Sequence, residues 1–332
     1  MDNHLSFHRY RRPFIRPLVT SRGEWALREG FIIRVERDSN VGYGEVAPIP
    51  DFGTETIEAA ETYLKGLAGN DEFQENTVDL DELPCCAFAL SMAQASSQLV
   101  AKRDYAVAAL LPAGGAALDH VKSKMEQGYT TFKWKIGVNS VAEEQAVFLG
   151  LLKQLPSESK LRLDANGGLS VEAFETWLKI LQEYLPQVDY LEQPLPVGKE
   201  VWMEEIAKGF QVPIALDESL NGLEGKRWMQ AGAWSGPLVV KPALMGDSKM
   251  LIERLRPIAH QVVFSSVFES LIGLENALCL ADQLPELNQV IGFDTLNAFA
   301  DDLMPLETGP LISVSDRIRH KSSGIWEQFL RC

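Results

Sequence analysis

From Tyr105 to Asp294 the chain repeats one pattern eight times: a short apolar run, then a stretch with helical periodicity. The runs are AVAALL, TTFKWKIG, LRLDAN, VDYLEQP, PIALDES, PLVVKPALMG, QVVFSS and QVIGFD. Strands separated by helices run parallel, and eight of them within about 190 residues predict a closed barrel rather than an open sheet. An open doubly wound sheet would also need a glycine-rich phosphate turn after its first strand. Pro112 to Gly115 (PAGG) does not form the GxGxxG fingerprint.

The preceding stretch has a different pattern. Leu5 to about Ile49 reads as short strands in an antiparallel meander, with FIIRVERD the clearest and Gly42 and Gly44 marking turns. Thr54 is placed to cap a helix, TETIEAAETYLKGLAG, whose apolar face is Ile57, Ala60, Leu64 and Leu67 and whose stop is Gly69. A second helix is predicted from Leu83 to Lys102, with a small-residue face suited to close packing. The predicted fold is therefore α/β, a modified (β/α)7β TIM barrel with an α+β capping domain. The cap spans 1–104, the barrel 105–298, and 299–332 returns to the cap.

Strand alternation places the charges. In TTFKWK, Phe132, Trp134 and Ile136 face one way and Lys133 and Lys135 the other. Two ammonium groups side by side in a buried setting predict a lowered pKa for at least one of them, towards a working base. Asp164, Glu192, Asp217 and Lys241 lie at the C-terminal ends of the following strands, 24 to 29 residues apart starting from Lys135. Each step is one βα unit, so successive units deliver charge to one mouth, the end where such barrels carry out catalysis. Leu163, Leu191, Leu216 and Val240 are sent to the opposite face. One Asp at a strand end is ordinarily a cap and one Lys is ordinarily solvated. Six such residues in register are not explained that way.

Three carboxylates and three lysines in one pocket call for a hard divalent cation. Mg²⁺ prefers oxygen ligands and keeps positions open for substrate, so Asp164, Glu192 and Asp217 are its predicted ligands. The partner this predicts is a small carboxylate molecule whose α-proton one lysine removes while the cation and a second lysine absorb the charge.

A formal net charge of -15 and a pI near 4.9 exclude binding to phosphate backbones and anionic membranes. No run of 18 apolar residues occurs and the first nineteen residues lack a hydrophobic core. Cys85, Cys86, Cys279 and Cys332 show no CxxC spacing. These features predict a soluble, unexported protein in a reducing cytoplasm, and a plastid form that has lost a transit peptide is compatible with them. No feature assigns an oligomeric state.

GYGEVAPIP, FKWK, RLDAN, LEQP, LDES and VKPALMG together resemble the enolase superfamily, in the subgroup with KxK on the second barrel strand. Mandelate-racemase-type members carry a His on the seventh strand, whereas His260 precedes QVVFSS. The closing segments SSVFESLIGLENALCLADQL and IGFDTL resemble the o-succinylbenzoate synthases of menaquinone and phylloquinone biosynthesis. That family dehydrates 2-succinyl-6-hydroxy-2,4-cyclohexadiene-1-carboxylate. The resemblance implies Lys135 as the base and then the acid, and Lys241 against the substrate ring, where a cation–π contact is worth about 1 to 2 kcal/mol. It implies that Lys133 holds the carboxylate and depresses the pKa of Lys135. Arg162 and Asn166 would orient the metal ligands, and Ser265 and Ser266 would bind the succinyl tail. Ser21 to Trp25 and Ala47 to Gly53 would close over the site, although Pro48 and Pro50 equally suit a rigid turn.

Three rival activities share the scaffold: N-succinylamino acid racemisation, dipeptide epimerisation and muconate-type cycloisomerisation. Dipeptide epimerases carry DxD on the eighth strand, whereas Asp294 is followed by Thr295 and Leu296. The closing segments fit the synthases better than the cycloisomerases. A barrel used only for binding would be expected to lack a lysine or a metal ligand, and all are present.

Overall fold

The structure, a computed structural model, describes residues 3–20, 23–37, 40–68, 82–95, 103–288, 290–299, 301, 309–313 and 320–329. It opens with three antiparallel strands in sequential order, β1 (Asn3–Thr20), β2 (Gly23–Arg37) and β3 (Asn40–Val46). They are longer than the short runs predicted. In β1 side chains alternate across the sheet: Arg9, Arg11 and Pro13 are exposed while Tyr10, Arg12 and Phe14 are buried. The register shifts after Pro13, as expected for a residue with no N–H to give the ladder.

Two helices follow, α1 (Ile57–Ala68) and α2 (Pro84–Ala95). Thr56, not Thr54, caps α1, accepting from the Ala59 N–H at 3.1 Å. Thr54 instead accepts from the Ile49 N–H at 2.8 Å and closes the turn before it. Gly69 and the 96–102 part of the predicted second helix lie outside the described residues. Helix α2 lies directly on β3, because a Cβ at Gly44 would stand 2.2 Å from the Ala89 carbonyl oxygen. That close approach explains both the glycine and the small residues opposite it.

The barrel begins with a correction. AVAALL is two strands, β4 (Tyr105–Val107) and β5 (Ala109–Leu111), because at Ala108 the backbone N–H bonds to Ile291 on the last strand while β5 pairs with the second. Strand and helix then alternate through α3 (Ala117–Glu126), β6 (Thr131–Lys135), α4 (Val141–Gln154), β7 (Lys160–Asp164), α5 (Val171–Leu181), β8 (Val188–Glu192), α6 (Glu200–Ala207) and β9 (Ile214–Ala215). The series continues with α7 (Gly222–Gly225), β10 (Leu238–Val240), α8 (Ser248–Leu255), β11 (Val262–Phe264), α9 (Leu271–Ala281) and β12 (Val290–Ile291). Strands β5 to β9 form one parallel sheet and β10 pairs with β11. Single bridges, Leu216 to Leu238 and Ser265 to Gly292, join the pieces, and β12 pairs with β4 to close the ring. This is the (β/α)7β barrel with an added sheet.

Leu163, Leu191, Leu216 and Val240 are fully buried in the main hydrophobic core. The barrel also carries β13 (Leu311–Ile312), antiparallel to β4, and α10 (His320–Phe329), whose Trp326 packs on His8 and Tyr43 of the cap sheet. Among the described residues no helix is long and apolar enough to cross a membrane.

Candidate active site

A cavity of about 550 Å³ opens at the C-terminal ends of the barrel strands, roofed by Leu18, Trp25 and Phe52 of the cap. Lys133, Lys135, Asp164, Asp217 and Lys241 line it, and Glu192 lies just beneath, fully buried. The alternation in TTFKWK holds: Phe132, Trp134 and Ile136 are fully buried behind the strand while both lysines face the cavity. Ser21 and Arg22 lie outside the described residues.

The charges form two groups. The Lys133 ammonium stands 2.8 Å from Asp164 Oδ2 and 2.7 Å from Glu192 Oε1. Lys241 is paired with Asp217. At Lys133 the neighbouring lysine does not decide the pKa. Burial does lower it, but Asp164, Glu192 and Asp217 together outweigh burial and hold it well above the ordinary lysine value. Lys241 is likewise raised, burial being outweighed chiefly by Asp217 and Glu218.

The acids respond unequally. Burial, then the neighbouring Asp164 charge, pushes the Glu192 carboxyl well up. Burial also acts upward on Asp164, but Lys133 and the Asn166 N–H leave it below its usual value. Among the described residues the Lys135 side chain has neither a hydrogen bond nor an ion pair. It belongs to the second barrel strand and Lys241 to the end of the sixth, so the two stand on opposite walls of an eight-stranded ring.

Asn166 is held at φ 44, and its N–H binds Asp164 Oδ1 at 3.0 Å while its amide donates to Glu218 Oε1 at 3.1 Å. Arg162 is not brought to the metal-ligand candidates. It donates to Asp189 Oδ2 at 2.7 Å and to the Val290 carbonyl at 3.1 Å, deeper in the barrel. Ser265 and Ser266 both line the cavity. The Ser266 hydroxyl is already engaged with Glu269 and Thr295, whereas among the described residues the Ser265 hydroxyl makes only a long 3.4 Å bond to the Gly292 carbonyl.

Two contributors, Gln193 and Glu218, escaped the sequence reading. Gln193, in LEQP, accepts the N–H groups of Asp217 and Ser219 and so fixes the next strand end. Glu218 lines the cavity beside Asp217, and burial, then that neighbour, pushes it up to about 7. A second acid directly after a strand-end Asp was the available signal. Asp294 also lines the cavity, but its carboxylate is committed to Lys124, to the Tyr129 hydroxyl at 3.0 Å and to the Leu110 N–H at 2.8 Å.

Glu269 anchors the wall behind Ser266. Burial pushes its carboxyl up to about 7 against the opposing pull of the Val267 N–H, and Glu45 adds to the rise. An acid with a raised pKa binds its proton more tightly in the folded chain. Its contribution to stability is therefore full below the ordinary value of 4.5 and lost as pH rises through about 7. Glu269→Gln is expected to gain stability relative to the parent by up to about 3 kcal/mol across that window. Denaturation midpoints at pH 5 and pH 8 check this, and a stability difference independent of pH would remove Glu269 as the titrating group.

Among the described residues no three His, Cys, Asp or Glu side chains are gathered closely enough to hold a metal ion as they stand. Asp164 and Glu192 converge on Lys133, and Asp217 on Lys241. The donor set nonetheless suits a hard cation: three buried carboxylates from neighbouring strand ends, with Glu192 Oε2 buried and without a hydrogen-bond partner among the described residues.

The family described as "MenC, N-terminal domain" matches residues 3–97, and "Enolase C-terminal domain-like" matches 116–245. The chain is 38% identical to an o-succinylbenzoate synthase of Thermosynechococcus vestitus over 273 residues, covering 80% of this chain and 84% of the relative. The crystal structure of o-succinylbenzoate synthase from Thermosynechococcus elongatus BP-1, complexed with magnesium in its active site, superposes with a TM-score of 0.82 at 32% identity, covering 98% of this chain and 99% of the other. The L-Ala-D/L-Glu epimerase of Bacillus subtilis shares the fold, with a TM-score of 0.80 at 18% identity over 94% of this chain and 96% of the other. With the KxK strand and the strand-end acids in the same barrel mouth, this chain belongs to the o-succinylbenzoate synthase family of the enolase superfamily.

Proposed function

We propose that the protein dehydrates 2-succinyl-6-hydroxy-2,4-cyclohexadiene-1-carboxylate to o-succinylbenzoate, a step of menaquinone or phylloquinone biosynthesis, with Mg²⁺ as cofactor. The observation that carries the reading is Lys135, uncommitted at the cavity wall and opposite Lys241. In this reading residues 1–104 cap the site, 105–298 carry the chemistry and 299–332 tie back to the cap.

Lys135 as the free amine removes the proton α to the substrate carboxylate and then returns it to the departing hydroxide, so that water leaves and the ring becomes aromatic. Lys241, beside the ring, stabilises the anionic intermediate. Asp164, Glu192 and Asp217 would hold Mg²⁺, and engaging it requires them to release contacts with Lys133 and Lys241. Bound there, the cation supplies charge neutralisation for the substrate carboxylate as electron density moves onto it. Lys133 and Ser265 are among the polar groups offered to the substrate, and Asn166 orients Asp164. The commitment of Asp294 to Lys124 and Tyr129 disfavours an amine-binding epimerase.

The test follows ultraviolet absorbance as the purified chain with Mg²⁺ is given the cyclohexadiene carboxylate, with and without a chelator. Rapid conversion that the chelator abolishes is expected. Absence of turnover with magnesium would overturn the reading and direct attention to racemisation of N-succinylamino acids, for which two opposed lysines suffice.

A further inference from the structure

Arg28 lies on β2 where the cap sheet meets the barrel, and only 4% of it is exposed. Its guanidinium donates four hydrogen bonds among the described residues, all to backbone carbonyls. Nε reaches Val267 at 3.0 Å, Nη1 reaches Glu29 at 3.2 Å and Pro48 at 2.7 Å, and Nη2 reaches Ala47 at 2.6 Å. A planar fork with five N–H donors can span separate chain segments in this way, and a single ammonium cannot.

Two of those segments become walls of the cavity. Ala47 and Pro48 lead into a tight turn, Phe52 N–H to the Ile49 carbonyl at 2.8 Å and Gly53 N–H to Pro50 at 2.9 Å, that carries Phe52 to the cavity. Val267 lies between Ser266 and Phe268, which both line it from the barrel side. Phe268 has a φ of 61°, a left-handed conformation that costs a bulky residue about 1 to 3 kcal/mol and persists only where its surroundings impose it. Those surroundings are the Phe268 N–H on Ser266 Oγ at 2.9 Å, the Val267 N–H on Glu269 Oε2 at 2.6 Å, the Phe14 ring edge, and Arg28 on the Val267 carbonyl.

We propose that Arg28 is a positioning residue whose guanidinium sets the separation between the cap wall at Phe52 and the barrel wall at Phe268, and thereby the width of the slot that receives the apolar ring of the substrate. The ring as ligand rests on the reading above; the clamp itself does not.

Arg28→Ala in the full chain tests it, with guanidinium ion added back at about 50 mM, too dilute to denature. Hydrogen exchange over residues 47–53 and 265–270, without substrate, reads the clamp. The dissociation constant of o-succinylbenzoate with Mg²⁺, and KM against kcat, read its consequence. Loss of charged hydrogen bonds predicts exchange in both segments and the product dissociation constant each rising by about tenfold or more, with KM affected more than kcat. Guanidinium is expected to restore protection and binding where sodium at the same concentration does not.

Unchanged exchange and product binding in Arg28→Ala would overturn the proposal. So would weakened binding in a folded variant that guanidinium does not recover. If Arg28→Ala fails to fold, Arg28→Lys carries the same measurements: it is expected to loosen both segments, and full protection in it would refute the clamp. A parent chain that neither turns over nor binds product while exchange behaves as expected would sink the proposed function and leave the clamp standing. Normal turnover in the parent with exchange indifferent to the variants would do the opposite.

Discussion

Lys135→Ala is expected to lower turnover by about 10²- to 10⁴-fold, the range attributable to a positioned acid–base group, with the melting temperature nearly unchanged. The second half of that expectation follows from the site. Among the described residues the Lys135 side chain has no hydrogen bond or ion pair, so its removal strands no buried partner. Lys133→Ala would behave differently, because it uncovers Asp164 and Glu192 together, and Lys241→Ala uncovers Asp217. Activity and stability are thus expected to fall together at Lys133 and Lys241 but to separate at Lys135. Exchange of the α-proton of a substrate analogue with heavy water identifies the base. It should vanish in Lys135→Ala and persist, at reduced rate, in Lys241→Ala. Persistent exchange without Lys135 would move the base to the opposite wall.

The residues that were legible in the sequence are those whose placement depends on local period. Lys133, Lys135, Asp164, Asp217 and Lys241 reach the cavity because strand parity chooses a face and the βα repeat chooses an end. Parity does not give depth. Arg162 shares a face with Asp164 but sits two residues lower, about 7 Å along the strand, and therefore meets Asp189 and Val290 instead of the ligand candidates. Nor does a single strand reveal the charges across from it. The Lys133 pKa is raised because carboxylates from β7 and β8 stand beside it, and nothing in TTFKWK itself announces them. Arg28 and Phe268 were illegible for a third reason: the bond from Arg28 to Val267 spans 239 positions, and nothing local in either segment announces it.

Glu192→Gln separates a metal ligand from a structural acid. Glu192 is fully buried with one oxygen on Lys133 and the other without a hydrogen-bond partner among the described residues, and burial and Asp164 both press against its ionised form. Without a divalent cation the neutral amide relieves that pressure, while Lys133 keeps Asp164 as its counter-charge. The variant is therefore expected to be at least as stable as the parent in chelator. With Mg²⁺ at one hundred times its dissociation constant, the parent gains about 2.7 kcal/mol by linkage. For a chain of 332 residues that amounts to about 4 °C in Tm. The variant, one anionic ligand short, should gain under about 1 °C at the same concentration and lose about 100-fold or more in turnover. The order of stability should thus cross between chelator and magnesium, a pattern that a purely structural carboxylate does not produce. Equal magnesium shifts in both proteins would show that Glu192 is not a ligand, and the three-carboxylate assignment would fall with it.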